Sequence, residues 1–315
     1  MYDELMPMNV AQMMDRAVDA YKKSFWKQIG YSAIVSVIFF AAAFIVGIVV
    51  AITAAFAGMF DGADPRFGVI ILLVIIFLPL VLLWLGFSSA GHILFTREAL
   101  FGHMLTLPRL KLHVMALRAI SALFAQMLVF LPIIGLLFFM FWGSFIIFVE
   151  NLLFVNFTTM GFVFVLIVSL IISVIFMLIE NMFSLSITAA MFEGRLFFGA
   201  LTRSFELIRG DFFKIFATRL LWYLVAFGFV MAAQGLSALF ALIAGILVGT
   251  VNPALSIILL PIGFFVSIFS LVVSFAQMPM DGIMRAIVYF NQRIKKDGLD
   301  IELRLVMMWQ KRPPK

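Results

Sequence analysis

The sequence predicts an all-α polytopic membrane protein with about six transmembrane helices in three hairpins and amphipathic interfacial helices on the cytoplasmic side. Three observations carry that prediction. The chain is 65% hydrophobic and 12% charged, far from the roughly 45–50% and 25% of soluble domains. Its apolar runs exceed the roughly 18 residues at which a span is suspected. Its charges fall on alternate connectors, which is how a chain that crosses a bilayer repeatedly is oriented.

The leader, residues 1–28, is too polar to cross. Asn9 is placed as an N-cap, and Val10, Met13, Met14, Ala17, Val18, Tyr21 and Phe25 follow at helical spacing. Asp15, Arg16, Asp19, Lys22 and Lys23 take the other side, and Trp26 marks the junction. That pattern predicts a helix lying in the interface. Ala55-Phe56-Ala57 resembles a signal cleavage site. The apolar run before it is about twice the length of a signal h-region and the polar leader is too long, so no cleavage is expected.

Spans are predicted near 29–58, 67–95, 117–148, 160–191, 215–249 and 254–280. Asp61, Asp64 and Arg66 lie between the first two, Glu150 between the third and fourth, and TVNPA (250–254) between the last two. Of the 22 Lys and Arg, all but Arg66 fall on the opposite side. The positive-inside rule then places both termini in the cytoplasm. The chain divides into the leader, a six-span domain over 29–290 and a C-terminal segment over 291–315. The uncharged run between Lys27 and Asp61 would extend about 50 Å as a helix, so it must tilt, kink or project from a core of about 30 Å. Pro79, Pro132 and Pro261 fall inside spans and predict kinks.

Ala189 to Phe216 is the polar centre, predicted as an amphipathic surface helix that feeds into the fifth span. Arg203, Glu206, Arg209, Phe212, Phe213 and Lys214 repeat Arg16, Asp19, Lys22, Phe25, Trp26 and Lys27 at a constant offset. The stretch 199–216 is therefore read as a second copy of the leader, in the same orientation. Small residues at i+4 spacing (Ala43, Gly47, Ala51 and Ala55; Ser237, Ala241, Gly245 and Gly249) suit close helix packing. Gly86, Ser88, Ser89, Ala90 and Gly91 make the second span slim near its cytoplasmic end.

Chemistry-bearing residues are few. Glu180 is an acid deep within a span, with Asn181 and Ser184 beside it, Ser184 at i+4 on the same face. An intramembrane carboxylate must be protonated, paired or turned to a polar cavity. Gln126, Gln234 and Gln277 are its expected partners from other helices. Lys22, Lys23, Lys27, Arg203, Arg209, Lys214 and Arg293 are candidates for anionic lipid headgroups. His92, His103 and His113 have no metal-site spacing, and Cys is absent, so neither metal nor cofactor is expected. No catalytic motif is present. Asn156-Phe157-Thr158 is a glycosylation sequon only for a secretory-pathway host. Asp281 to Asp297 predicts an amphipathic helix ended by Gly298, then an alternating, short extended segment (299–305) docking on the cytoplasmic side, and a disordered tail.

The segments MMDRAVDAYKKSFWKQIG, FEGRLFFGALTRSFELIRGDFFKIF and AIVYFNQRIKKDGLDIEL resemble the membrane domain of the glycerophosphoryl diester phosphodiesterase family. The likeness rests on an acidic residue before Gly (Glu193-Gly194), a basic residue before Ser (Arg203-Ser204), and an ending built on Tyr289, Arg293 and Gly298. It implies a bacterial multi-pass domain of the inner membrane. The catalytic part of that family is missing: there is no His-Arg-Gly segment and no soluble stretch long enough for a barrel. The resemblance therefore implies a stand-alone form without hydrolase activity.

Two functional classes follow. One is a non-enzymatic membrane module that binds lipids or scaffolds a membrane-protein partner or second copy. The other is a small transporter or channel-like protein with Glu180 in its pathway. Nucleic acid is not an expected partner, because the net charge of +6 follows membrane topology.

Overall fold

The computed structural model describes residues 6–60, 66–101, 112–154, 159–247, 256–299 and 301. Asp61, Asp64, His103, the sequon at 156–158, the 250–254 connector and residues 302–315 lie outside them. Within the described residues the order is α1 (Val10–Phe60), α2 (Arg66–Phe101), α3 (Leu112–Phe154), α4 (Thr159–Phe183), α5 (Ser186–Glu193), α6 (Phe198–Ile208), α7 (Phe212–Ile246) and α8 (Ser256–Asp297). Six helical stretches are long and apolar enough to cross a membrane, in agreement with the predicted spans.

The leader is not a separate surface helix. It continues into the first span as α1, 51 residues long, or about 75 Å. The start is the predicted Asn9: its Oδ1 accepts from the Gln12 N–H at 2.9 Å, and Gln12 Oε1 accepts from the Asn9 N–H at 2.9 Å. This reciprocal pair satisfies two of the free donors at the helix start. From there to Phe60 no proline intervenes, so nothing ends the helix. α2, α3 and α8 likewise run through Pro79, Pro132, Pro261 and Pro279.

Helix packing is concentrated at one end. The buried set draws on the start of α1 (Met13, Ala17, Ala20), the end of α2 (Ala90, Ile93), the starts of α3 (Met115, Ala119) and α7 (Ile215, Trp222), the middle of α5 (Ile187, Ala189, Ala190, Met191) and the end of α8. Starts of some helices meeting ends of others means that neighbours run in opposite directions, as a chain of hairpins requires. The predicted amphipathic helix at 281–297 lies at the centre of this core. Ile283, Met284, Ala286, Ile287, Val288 and Tyr289 are nearly all fully buried in it. Away from this end, the apolar side chains of α1, α4, α7 and α8 are mostly exposed, as suits lipid.

Close approach is set by α2. A Cβ on Gly91 would stand 2.1 Å from Cε1 of Tyr31, and one on Gly86 would stand 2.3 Å from Cγ1 of Ile120. The slim stretch read in the second span therefore does bring helices together. Gly47 and Gly245 meet nothing within reach among the described residues, so at those two positions the stripes do not bring helices together.

Candidate functional site

The fourth predicted span is broken where its polar residues sit. α4 ends at Phe183, Ser184 and Leu185 form a turn, and α5 begins at Ser186. Ser184 is thus not on a helix face with Glu180; its hydroxyl donates to the Asn181 carbonyl at 2.8 Å. Groups released by the break are taken up from two other helices. Gln126 Nε2 donates to the Phe183 carbonyl and to Ser186 Oγ, both at 2.7 Å. Ser204 Oγ accepts from the Leu185 N–H at 3.1 Å and donates to the Met182 carbonyl at 2.9 Å. Unsatisfied backbone is costly at membrane depth, and these contacts remove that cost.

Glu180 is not partnered by the glutamines. Arg219 of α7 grips it with two nitrogens, at 3.0 and 3.1 Å. Arg285 of α8 adds an ion contact at 3.6 Å. Arg219 also donates to Asn181 Oδ1 at 3.2 Å and to the Tyr223 hydroxyl at 2.6 Å, and that hydroxyl donates to Asp281 at 2.7 Å. Arg285 Nε stands 2.6 Å from Asp281 Oδ2, although its N–H is not aligned for a hydrogen bond. Arg219 is only 3% exposed, whereas Glu180 is 28% exposed. Two guanidiniums and two carboxylates sum to zero charge. A neutral, bidentate cluster of this kind is how charged groups survive away from water.

Sequence reasoning missed Arg219, Asp281 and Arg285 as partners. Arg219 read as one more topology-setting charge at the start of a span. Asp281 and Arg285, at i and i+4, read as the polar side of an amphipathic helix. Their spacing was a usable signal, but nothing local says that α7 and α8 turn them toward α4.

A second network gathers the residues that carry the family resemblance. Arg203 Nε donates to both oxygens of Glu193, at 3.1 and 2.8 Å, and Arg203 also pairs with Asp297. Tyr289 donates its hydroxyl to Glu193 at 3.0 Å, and Arg293 reaches Asp297 at 3.1 Å. Three separated segments thus meet at one place. Burial weakens the Arg203 charge, but the Glu193 and Asp297 carboxylates outweigh it and hold the guanidinium above its ordinary value. Gly194, at φ 72°, ends α5 and returns its N–H to the Ala190 carbonyl at 3.1 Å. That left-handed turn suits glycine and starts the path toward Arg203.

The lipid-headgroup candidates separate into two groups. Arg203 and Arg293 are committed to the network just described. Lys27 pairs with Glu98 at 2.9 Å, and Lys214 donates to the Met8 carbonyl at 3.2 Å. Lys22, Lys23 and Arg209 are exposed, with no side-chain ion pair among the described residues. Beside them stand the outward aromatics of the two leaders, Trp26 at 81% and Phe213 at 79% exposure.

His92 is buried, with Nε2 3.2 Å from Ser32 Oγ, and its Cβ lies 2.8 Å from where a Cβ on Gly282 would stand. It is a packing residue. Compared with protein-family models, with curated proteins and with solved structures, the chain matches none.

Proposed function

We propose that this protein is a non-enzymatic, multi-pass module of a bacterial cytoplasmic membrane that binds anionic phospholipid through its two basic leaders, with both termini in the cytoplasm. Kinship with the phosphodiesterase membrane domain belongs to the same proposal. The observation that carries it is the matched pair of exposed sites. Each leader presents cations with no acidic partner among the described residues (Lys22 and Lys23; Arg209) next to an outward aromatic (Trp26; Phe213). An aromatic at headgroup level with a free cation beside it suits the surface of an anionic leaflet.

The transporter reading is the less favoured alternative. Glu180 is neutralised by Arg219 and Arg285 rather than left for a travelling proton or ion.

The test is mass spectrometry of the lipids retained when the protein is extracted from its native membrane into nanodiscs. Anionic lipid should be enriched over the bulk membrane. Lys22→Ala and Arg209→Ala should each weaken that preference about fivefold, at about 1 kcal/mol per basic residue near the surface. Retention of lipid in bulk proportion by the unmodified protein would sink the reading.

A further inference from the structure

A groove of about 480 Å³ lies between α1 and α7. Its walls are two helical faces at matching spacing. Val18, Tyr21 and Phe25 follow at i, i+3 and i+7 along α1, and Trp222, Val225 and Phe229 do so along α7. Met280 of α8 closes the base. The base is rigid, because Trp222 donates its indole N–H to the Met280 carbonyl at 2.7 Å and Tyr21 donates its hydroxyl to the Ala276 carbonyl at 2.8 Å. These bonds use the hydrogen-bond donors of Trp222 and Tyr21. What remains for an occupant is an almost wholly apolar trough, with a volume inside the roughly 300–1,000 Å³ range of sites that bury a small ligand.

One charged group is placed on this trough. Lys22 lines it and is exposed, with no acid paired to it among the described residues. Trp26, one helical turn further along, also lines it and marks the level where hydrocarbon meets headgroup. Lys22 therefore stands about 6 Å on the polar side of that level. The α7 side chains next to the trough, Leu221 and Leu224, are exposed and apolar, a surface beside the opening that suits lipid.

From this arrangement we infer that the α1–α7 groove is a site for one anionic glycerophospholipid, with an acyl chain along Trp222 and Phe229 and the phosphate held by Lys22. The inference rests on the lipid-binding reading above and narrows it to one place and one orientation. The charge match selects the occupant: a cation lining an otherwise apolar trough complements a lipid with an anionic head and an apolar tail. Arg209 belongs to the other leader and takes no part, so the two leaders are unequal.

The experiment uses the full chain in nanodiscs of mixed phosphatidylcholine and phosphatidylglycerol. Trace phosphatidylglycerol with a photoactivatable diazirine in its acyl chain is compared with the matching phosphatidylcholine probe. The phosphatidylglycerol probe should label peptides containing residues 18–26 and 222–229 about fivefold more than the phosphatidylcholine probe does. Labelling of the outer part of α7, near Leu236 to Ile243, should show no preference. Lys22→Ala should abolish the headgroup preference while chain labelling in the groove persists. Val225→Trp, which fills the groove, should remove the labelling there and leave it unchanged elsewhere. Val18→Phe does the same from the α1 wall and serves if Val225→Trp does not fold.

Groove labelling equal for the two probes, or insensitive to both filling variants, overturns the site. So does photo-cross-linking of α1 or α7 to a second copy of the chain in place of lipid. If native membranes still yield enriched anionic lipid that depends on Lys22 and Arg209, the wider reading stands and only the groove falls. If that enrichment is also missing, both fall together.

Discussion

The two leaders share a register but not a structure. Trp26 and Phe213 are exposed to nearly the same degree, 81% and 79%. Each packs edge-on against the aromatic before it, with centroids 5.2 and 5.3 Å apart. Met13, Ala17 and Ala20 are buried in the first leader, and Ala200, Ser204 and Leu207 are buried at the matching positions of the second. Yet the first leader is the uninterrupted start of α1, while the second is a separate helix, α6, turned away from α7. The helix breaks over Arg209 to Asp211, with Gly210 at its centre. Where the first leader has Lys23, the second has Gly210 at φ 96°, a conformation that L-residues avoid. What the first copy does as a straight rod, the second does as an elbow. The elbow is held by the end of α8: Lys295 pairs with Asp211 at 2.5 Å, and Lys296 donates to the Glu206 and Arg209 carbonyls at 2.8 and 2.5 Å. A cation on the free carbonyls at a helix end is favourable placement.

The matched register extends into the spans, where the copies diverge chemically. Ser32 and Arg219 follow Arg16 and Arg203 at equal distances. Both are buried, but Ser32 meets His92 whereas Arg219 meets Glu180. The largest expected effect tests this contrast. Arg219→Met strands two carboxylates on a single remaining cation, Arg285, and should cost about 3–5 kcal/mol. Ser32→Ala should cost about 1 kcal/mol. Thermal unfolding in one detergent compares them directly, and equal losses would mean that the ion cluster does not hold α4 to α7.

The elbow gives the next effect. Gly210→Ala meets open space, so its cost is that of the backbone alone, about 1–2 kcal/mol. The converse change, Lys23→Gly, should weaken α1 by about 1 kcal/mol without bending it. Cysteine pairs spin-labelled across each leader would show whether the second copy straightens in Gly210→Ala. An unchanged distance together with unchanged stability would remove Gly210 as the cause of the difference.

The smallest effect belongs to Asp211, which has only Ser24 at the matching place in the first leader. Burial pushes the Asp211 carboxyl up, but the Lys295 hydrogen bond and charge outweigh it and hold it below its ordinary value of 3.8. A depressed carboxylate stabilises the fold above that ordinary value and loses the contribution as pH falls through the folded one. The unmodified protein should therefore lose more stability than Asp211→Asn between pH 5 and acid below about 3.8, by no more than about 1 kcal/mol for a partly exposed pair. Parallel pH profiles of the two would contradict the pairing.

Some of the candidate site was visible in the sequence and some was not, for identifiable reasons. Glu180 stands out because a carboxylate in an apolar run is conspicuous. Its partners do not stand out, because Arg219, Asp281 and Arg285 sit at span edges where charges are ordinary. The break at Ser184–Leu185 was hidden because neither residue is a helix breaker. What holds it open is Gln126 and Ser204, contributed by α3 and α6. The leader was assigned to a surface because its polar side is rich in charge. Its apolar side instead packs on the end of α8, whose near-complete burial no periodicity of its own residues announces.

Hydrophobic run length, charge alternation, the Asn9 cap, the Gly298 stop and the doubled leader motif were determined by the sequence alone. They are local quantities: apolar length against bilayer thickness, side-chain capping of the nearest backbone, and the left-handed freedom of glycine. The neutralising of Glu180, the meeting of Glu193, Arg203, Tyr289, Arg293 and Asp297, and the groove beneath Lys22 were decided only by the tertiary structure. Each joins helices distant in the chain, and which faces meet depends on how closely backbones approach, as at Gly91 on Tyr31 and Gly282 on His92. In a chain so uniformly apolar, burial pattern does not tell lipid from protein, so the choice of neighbour falls to a few small residues and a few buried charges.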